Sequence, residues 1–217
     1  MPVIAMISEE TKVRDEIVSV GRSLFDRGLS PGSTGNISVR LSSGEVLMTP
    51  TNASLGTLDA NRVSKFSAEG VHLDGDKPTK EAFLHQCVYC NRKTAKAVVH
   101  LHSTHAVALS ILPEIDRADA LPPLTAYYVM RVRMLPIVDY FPPGDIRLAE
   151  AVQLKITQAH AVLLSNHGPV VSGKSLLDAQ YAAEELEETA KLYLLTRGLN
   201  VAYLTPAQVA ELSDRRA

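Results

Sequence analysis

Two histidines sit inside an apolar, β-branched run, Val98-Val99-His100-Leu101-His102-Ser103. Successive side chains of a strand point to opposite faces, so His100 and His102 project from the same face, one repeat apart. Burying two imidazoles without partners costs on the order of several kcal/mol, so this run needs a place where both rings are satisfied, and a metal ion satisfies both. A further imidazole, His167, follows a second apolar run, Ala161-Val162-Leu163-Leu164, within Ser165-Asn166-His167-Gly168. Taken alone, Asn-His-Gly after a strand also reads as a simple turn. Three neutral imidazoles with no cysteine or obligate fourth ligand describe a catalytic zinc site with an open position rather than a closed structural site. That reading makes the chain an enzyme.

The chain has 217 residues, a length expected for a single α/β domain spanning residues 1–217, and 46% of them are hydrophobic, enough for a sizeable core. A formal charge of −2 gives no electrostatic case for nucleic acid or an anionic membrane as partner. Met1 to Ile7 is apolar but lacks the basic residues and the length of a signal peptide, and no run approaches the roughly 20 apolar residues of a membrane span. With only two cysteines, the expected compartment is the cytoplasm. Those two, Cys87 and Cys90, have the C-x-x-C spacing of a redox pair. They lie in a stretch that reads as a helix, and no second pair completes a zinc site, so they are expected to be reduced thiols on or near a buried helix face.

Apolar positions at Val13, Ile17, Val20, Leu24 and Phe25 predict a helix over residues 8–27, opened by Ser8 and stopped by Gly28. Asn36–Leu41 and Glu45–Thr49 alternate around Ser42-Ser43-Gly44 and predict a β-hairpin. Further strands are predicted near Val63–Phe66, His72–Leu73, Ala97–His102, Leu135–Val138 and Ala161–Leu164. Helices are predicted at 79–92, 104–111, 144–158 and 175–197, the last carrying a strong apolar stripe and closed by Gly198. Hairpins flanked by helices, instead of strict βα alternation, indicate a largely antiparallel sheet with helices packed on it. No G-x-G-x-x-G follows the first strand, which argues against a dinucleotide-binding fold.

His72, His85, His105 and His160 have no partner at ligand spacing and read as surface or ordinary polar residues. In Gly75-Asp76-Lys77-Pro78-Thr79-Lys80-Glu81, Thr79 is the predicted N-cap, which places Lys80 and Glu81 in a helix's first turn. Glu81 there has two readings: a carboxylate complementing the helix dipole, or a general acid/base beside the metal. The polar turns Thr34-Gly35-Asn36 and Thr49-Pro50-Thr51-Asn52 are rich in hydrogen-bonding groups.

Five motifs in order, S-T-G-N-I-S-V-R, T-P-T-N, K-P-T-K-E-A-F-L-H, A-V-V-H-L-H-S-T-H and L-L-S-N-H-G-P-V-V, resemble the class II aldolase/adducin family across residues 12 to 198. The resemblance implies an α/β/α sandwich on a mainly antiparallel central sheet. It implies one Zn²⁺ per subunit, or another divalent transition metal, held by His100, His102 and His167. Glu81 would be the acid/base, able to occupy the metal's open position when substrate is absent. Gly35, Asn36, Thr51, Asn52, Thr79 and Lys80 would surround a substrate phosphate. The resemblance also implies a homotetramer with sites at subunit contacts, where a tyrosine from the neighbour assists proton transfer; Tyr128 is the best match, with Tyr127 next to it, and interface packing is the other reading of both.

Two departures from the fuculose-phosphate aldolase pattern, Thr79-Lys80 where those aldolases carry S-S and Asn52 where they carry glycine, look like the 3-oxo-tetronate 4-phosphate decarboxylase branch. So do Leu121-Pro122-Pro123-Leu124-Thr125 and the run Ala182 to Lys191. The implied reaction converts a phosphorylated 3-oxo sugar acid into dihydroxyacetone phosphate and carbon dioxide in four-carbon sugar-acid catabolism. Loss of carbon dioxide leaves an enediolate whose charge a Lewis acid stabilises. An aldolase reaches the same enediolate by releasing an aldehyde, so a sugar-phosphate aldolase or epimerase is the alternative enzyme. A non-catalytic adducin-like binding module is the alternative of a different class.

Overall fold

Alternation of side chains across one sheet organises the whole chain. In the computed structural model, which describes residues 7–142 and 144–214, the first helix α1 (Glu9–Asp26) is capped by Ser8, whose Oγ accepts from the Thr11 amide at 3.1 Å. It buries Ile17, Val20 and Leu24, and Gly28 beyond its end takes φ +73°. The hairpin follows as β1 (Asn36–Arg40) and β2 (Val46–Met48). Then come β3 (Ser64–Phe66), β4 (His72–Asp74), α2 (Ala82–Asn91), β5 (Ala97–His100) and α3 (Thr104–Ser110). The remainder is α4 (Ala126–Arg131), β6 (Ile137–Val138), α5 (Arg147–Ile156), β7 (Ala161–Leu164), β8 (Gly168–Gly173), α6 (Leu176–Thr196) and α7 (Pro206–Asp214).

The eight strands form one sheet in the order β4-β3-β2-β1-β5-β8-β7-β6, antiparallel throughout except for β6 against β7. Along β5, β7 and β8 the residues sort by parity. Ala97, Val99, Leu163 and Val171 join one core with α1, α3 and α6, whereas Val98, Val162, Leu164 and Val170 join a second with α2 and α5. The result is the expected α/β/α sandwich on a mainly antiparallel sheet. Among the described residues, no helix is long and apolar enough to cross a membrane. Met1 to Met6, which make up all but the end of the apolar opening stretch, lie outside the described residues.

Four elements differ from the sequence expectation. Strand β8 has no counterpart among the predicted strands, because Gly168-Pro169 hides a central strand behind two turn-forming residues. Pro169 is tolerated near the strand's start, where its carbonyl still accepts from the Leu101 amide at 3.2 Å. Helices α4 and α7 are short and carry too few turns to show a period. The 79–92 helix begins only at Ala82, so Thr79 is not its N-cap and Lys80 and Glu81 precede its first turn.

Gly168 ties the site's two histidine segments together. Its φ is +150°, and a Cβ there would lie 2.1 Å from the Leu101 carbonyl oxygen. Gly168→Ala is therefore expected to lower stability by about 2 kcal/mol or more. A thermal midpoint equal to wild type would contradict that close approach.

Candidate active site

Parity places His100 on the face covered by α2, since it alternates with Val98 across Val99. Strand β5 ends at His100, two residues short of the expected His102. Leu101 turns into the opposite core and His102 returns to the side of His100. The turn after β7 brings in His167, preceded by Asn166 at φ +57°. The three Nε2 atoms converge: His100 to His102 is 3.2 Å and His100 to His167 is 3.4 Å. Glu81 completes the group, with Oε1 3.0 Å from His167 Nε2 and Oε2 3.4 Å from His100 Nε2.

A cation suits this donor set. The Nδ1 of His100 donates to the Pro169 carbonyl at 2.9 Å, which leaves its Nε2 as a lone pair pointing at two other ring nitrogens. A positive ion at the centre would accept that lone pair together with those of the other two rings. Ligand atoms around a tetrahedral zinc with bonds of about 2.0 Å lie about 3.3 Å apart, close to the 3.0–3.4 Å separations above. Among the described residues, Glu81, His100, His102 and His167 are the group of metal-capable side chains that come together.

The electrostatics agree. Burial depresses His100, and burial together with His100 and His167 pushes His102 down to about 3, so both rings are neutral and free to ligate at physiological pH. Burial opposes ionisation of Glu81, but attraction to positive charge in the His100–His167 cluster and the hydrogen bond from Asn36 outweigh it and hold the carboxyl below the ordinary carboxylate range. Glu81 occupies the N-cap position of α2 with φ −99° and ψ 16° and makes no capping bond. Of its two readings, the geometry therefore favours the carboxylate turned toward the histidines.

All six residues expected around a phosphate, Gly35, Asn36, Thr51, Asn52, Thr79 and Lys80, line a single cavity of about 170 Å³, with Glu81 and His102 in its wall. Asn36 pairs with His100 across β1 and β5, and its Nδ2 donates to Glu81 Oε2 at 2.8 Å and to Thr79 Oγ1 at 3.2 Å. Thr79 Oγ1 also accepts from the Glu81 amide at 3.3 Å. With its oxygen used twice as an acceptor, the Thr79 hydroxyl proton remains to be donated into the cavity.

Tyr128 requires a correction. Its side chain is 1% exposed and packs in the core of its own chain, so it does not point outward toward a neighbouring subunit. Adjacent residues on a helix face different directions, and α4 turns Tyr128 and Val129 inward while leaving Tyr127 61% exposed. The cysteines are both free thiols on α2, as expected, and Cys87 packs against the second core. Cys87 is half-buried and donates to the Ala149 carbonyl, whereas Cys90 is exposed.

His85 was missed as a site residue. It is fully buried beneath the cavity, with Nε2 2.5 Å from Asn36 Oδ1 and Nδ1 2.7 Å from Ser38 Oγ. Its traces in the sequence are a position four residues after Glu81, one helical turn along, and the last place in the K-P-T-K-E-A-F-L-H motif. Burial, reinforced by His100 and opposed by Glu81, pushes its imidazole down to about 3 from 6.5. Between those values the unfolded chain binds a proton that the folded chain does not. Stability is thus intact above pH 6.5 and declines as pH falls, by up to about 1.4 kcal/mol per pH unit for this group. Urea midpoints of metal-free protein should fall from pH 7 to pH 5, with a shallower slope in His85→Gln. Equal slopes would assign the acid sensitivity to other groups.

The comparisons with known proteins agree with this architecture. The family model described as the class II aldolase and adducin N-terminal domain matches residues 15–194. The chain is 48% identical to the 3-oxo-tetronate 4-phosphate decarboxylase of Pectobacterium atrosepticum, over 96% of each chain. It is 36% identical to the L-fuculose phosphate aldolase of Methanococcus maripaludis, over 85% of this chain and 97% of that one. The crystal structure of Escherichia coli YgbL, an aldolase/epimerase/decarboxylase candidate, superposes with a TM-score of 0.93 at 44% identity, covering 95% of this chain and all of the other. With the motifs falling in order on one cavity and the family model covering most of its length, this chain belongs to the class II aldolase and adducin family.

Proposed function

We propose that this chain is a carbon–carbon lyase that decarboxylates 3-oxo-tetronate 4-phosphate to dihydroxyacetone phosphate and carbon dioxide. The observation that carries the reading is the shared cavity, where a buried acid/base and a three-histidine cluster adjoin a polar, lysine-bearing lobe sized for a small phosphorylated acid. The greater likeness to the Pectobacterium decarboxylase than to the Methanococcus aldolase supports carbon dioxide, not an aldehyde, as the leaving fragment.

His100, His102 and His167 would hold a divalent cation, with zinc the ion best suited to the imidazole set, and Glu81 beside them. When bound, the ion supplies Lewis-acid stabilisation of negative charge developing on substrate oxygens. The Thr79 hydroxyl and the exposed Lys80 ammonium bind the phosphate, while Thr51 and Asn52 flank it. A lysine gripping the departing carboxylate in the ground state would oppose reaction, which assigns Lys80 to the phosphate. The C1–C2 bond breaks, carbon dioxide leaves with C1, and the electron pair stays at C2, delocalised onto the C3 oxygen. A proton taken from solvent and delivered to C2 completes the product, and Glu81 is the group that takes it up and passes it on. In a homotetramer with sites at subunit contacts, Tyr127, unlike Tyr128, is exposed and available to assist from a neighbour. We place the enzyme in the cytoplasm.

The test is an incubation of zinc-loaded protein with 3-oxo-tetronate 4-phosphate. Equimolar carbon dioxide and dihydroxyacetone phosphate are expected. Absence of both, with cleavage of fuculose 1-phosphate instead, would move the reading to the aldolase.

A further inference from the structure

We propose that His85 is a positioning residue that fixes the Asn36 amide, and through it Glu81, by a one-directional chain of hydrogen bonds running in from Tyr89. The direction follows from what each atom can do. A carboxylate only accepts, so the Asn36 NH₂ must face Glu81 Oε2, at 2.8 Å. The Asn36 Oδ1 then faces His85 Nε2, which must carry the hydrogen. In the neutral ring Nδ1 is left bare and accepts from the Ser38 hydroxyl at 2.7 Å. Ser38 Oγ, having spent its proton, accepts from the Tyr89 hydroxyl at 2.8 Å. Ser38 and His85 are fully buried and Tyr89 nearly so, and the Arg40 guanidinium covers the Tyr89 ring.

Each member therefore has one role that satisfies its neighbours, and Tyr89, with a proton to give, starts the series. Reversing the chain would aim the Asn36 oxygen at the Glu81 carboxylate, oxygen against oxygen. An unsupported amide can flip that way and release Glu81 from its place between His100 and His167. Two levels of sequence connect here. Asn36 and Ser38 share a face of β1 because they are two residues apart, while Glu81, His85 and Tyr89 recur every four residues, on one side of α2 and the segment leading into it.

The effect on turnover rests on the reading of Glu81 as the acid/base, but the tautomer does not. Long-range ¹H–¹⁵N correlation NMR of the metal-loaded protein, with the His85 ring assigned through its own backbone resonances, should show a hydrogen on Nε2 and none on Nδ1. A hydrogen on Nδ1 overturns the proposal, and this is read on the wild-type chain whether or not variants fold. In the activity arm, His85→Leu should lower kcat by about 10–100-fold with KM and metal content changed far less. His85→Gln, whose amide can still donate to Asn36, should recover most of the loss. Equal kcat in the wild type, His85→Leu and His85→Gln would remove the positioning role. A wild-type chain that releases no product from the phosphorylated acid would instead count against the proposed reaction, leaving the tautomer to decide the role of His85.

Discussion

His102→Ala is expected to lose the metal and turnover together. The ring sits 3.2 Å from His100 Nε2, lies just beyond the strand end and adjoins the cavity, so its removal opens one side of the cluster. Losing an outer-shell partner already costs a metal site about 10–100-fold in affinity, and losing a direct ligand should exceed that. Folding should survive, because His102 is only half-buried and the neighbouring Leu101 supplies the core contact. Metal analysis after gel filtration, set beside a thermal melt, separates the two. Metal content equal to wild type in a folded variant would remove His102 from the ligand set. The same loss of activity without loss of metal would make it a substrate contact.

Glu81→Gln should behave in the opposite way, keeping metal and losing turnover. The three imidazoles stay in place, and the amide is close in shape to the carboxylate, so it can still accept from Asn36. It cannot take up and release a proton. Loss of a general acid/base is expected to lower kcat by about 10²–10⁴-fold. The comparison with His102→Ala matters most: one variant is inactive and metal-free, the other inactive and metal-loaded. Full activity in Glu81→Gln would falsify the assignment of proton transfer to this residue, and Tyr127 would be the next side chain to replace.

Much of the site was legible because it is written at short range. The H-x-H spacing gives same-face projection wherever a strand forms, and polar turns rich in threonine, asparagine and glycine stand out against apolar strands. The helix boundary near Glu81 was misplaced for a related reason. Thr79 has the chemistry of a cap, and only the pull of His100, His167 and Asn36 on the carboxylate shows that Glu81 stays outside the helix. Tyr127 and Tyr128 were not separable either, since a six-residue helix has too few turns to reveal which face it buries.

The sequence alone determined the chemistry available: three imidazoles, a carboxylate and a set of anion-binding turns, carried on strands and helices whose periods follow from local sterics and alternation. Tertiary structure decided which of these meet. His167 is 65 residues from His102 in sequence (167 against 102) and joins it only because β8 inserts between β5 and β7, a pairing concealed by Gly168-Pro169. His85 has no ligand spacing and gains its role from the sheet register that sets Asn36 beside His100, under α2. Such contacts are set by strand order and packing between distant segments, so no window along the chain contains them.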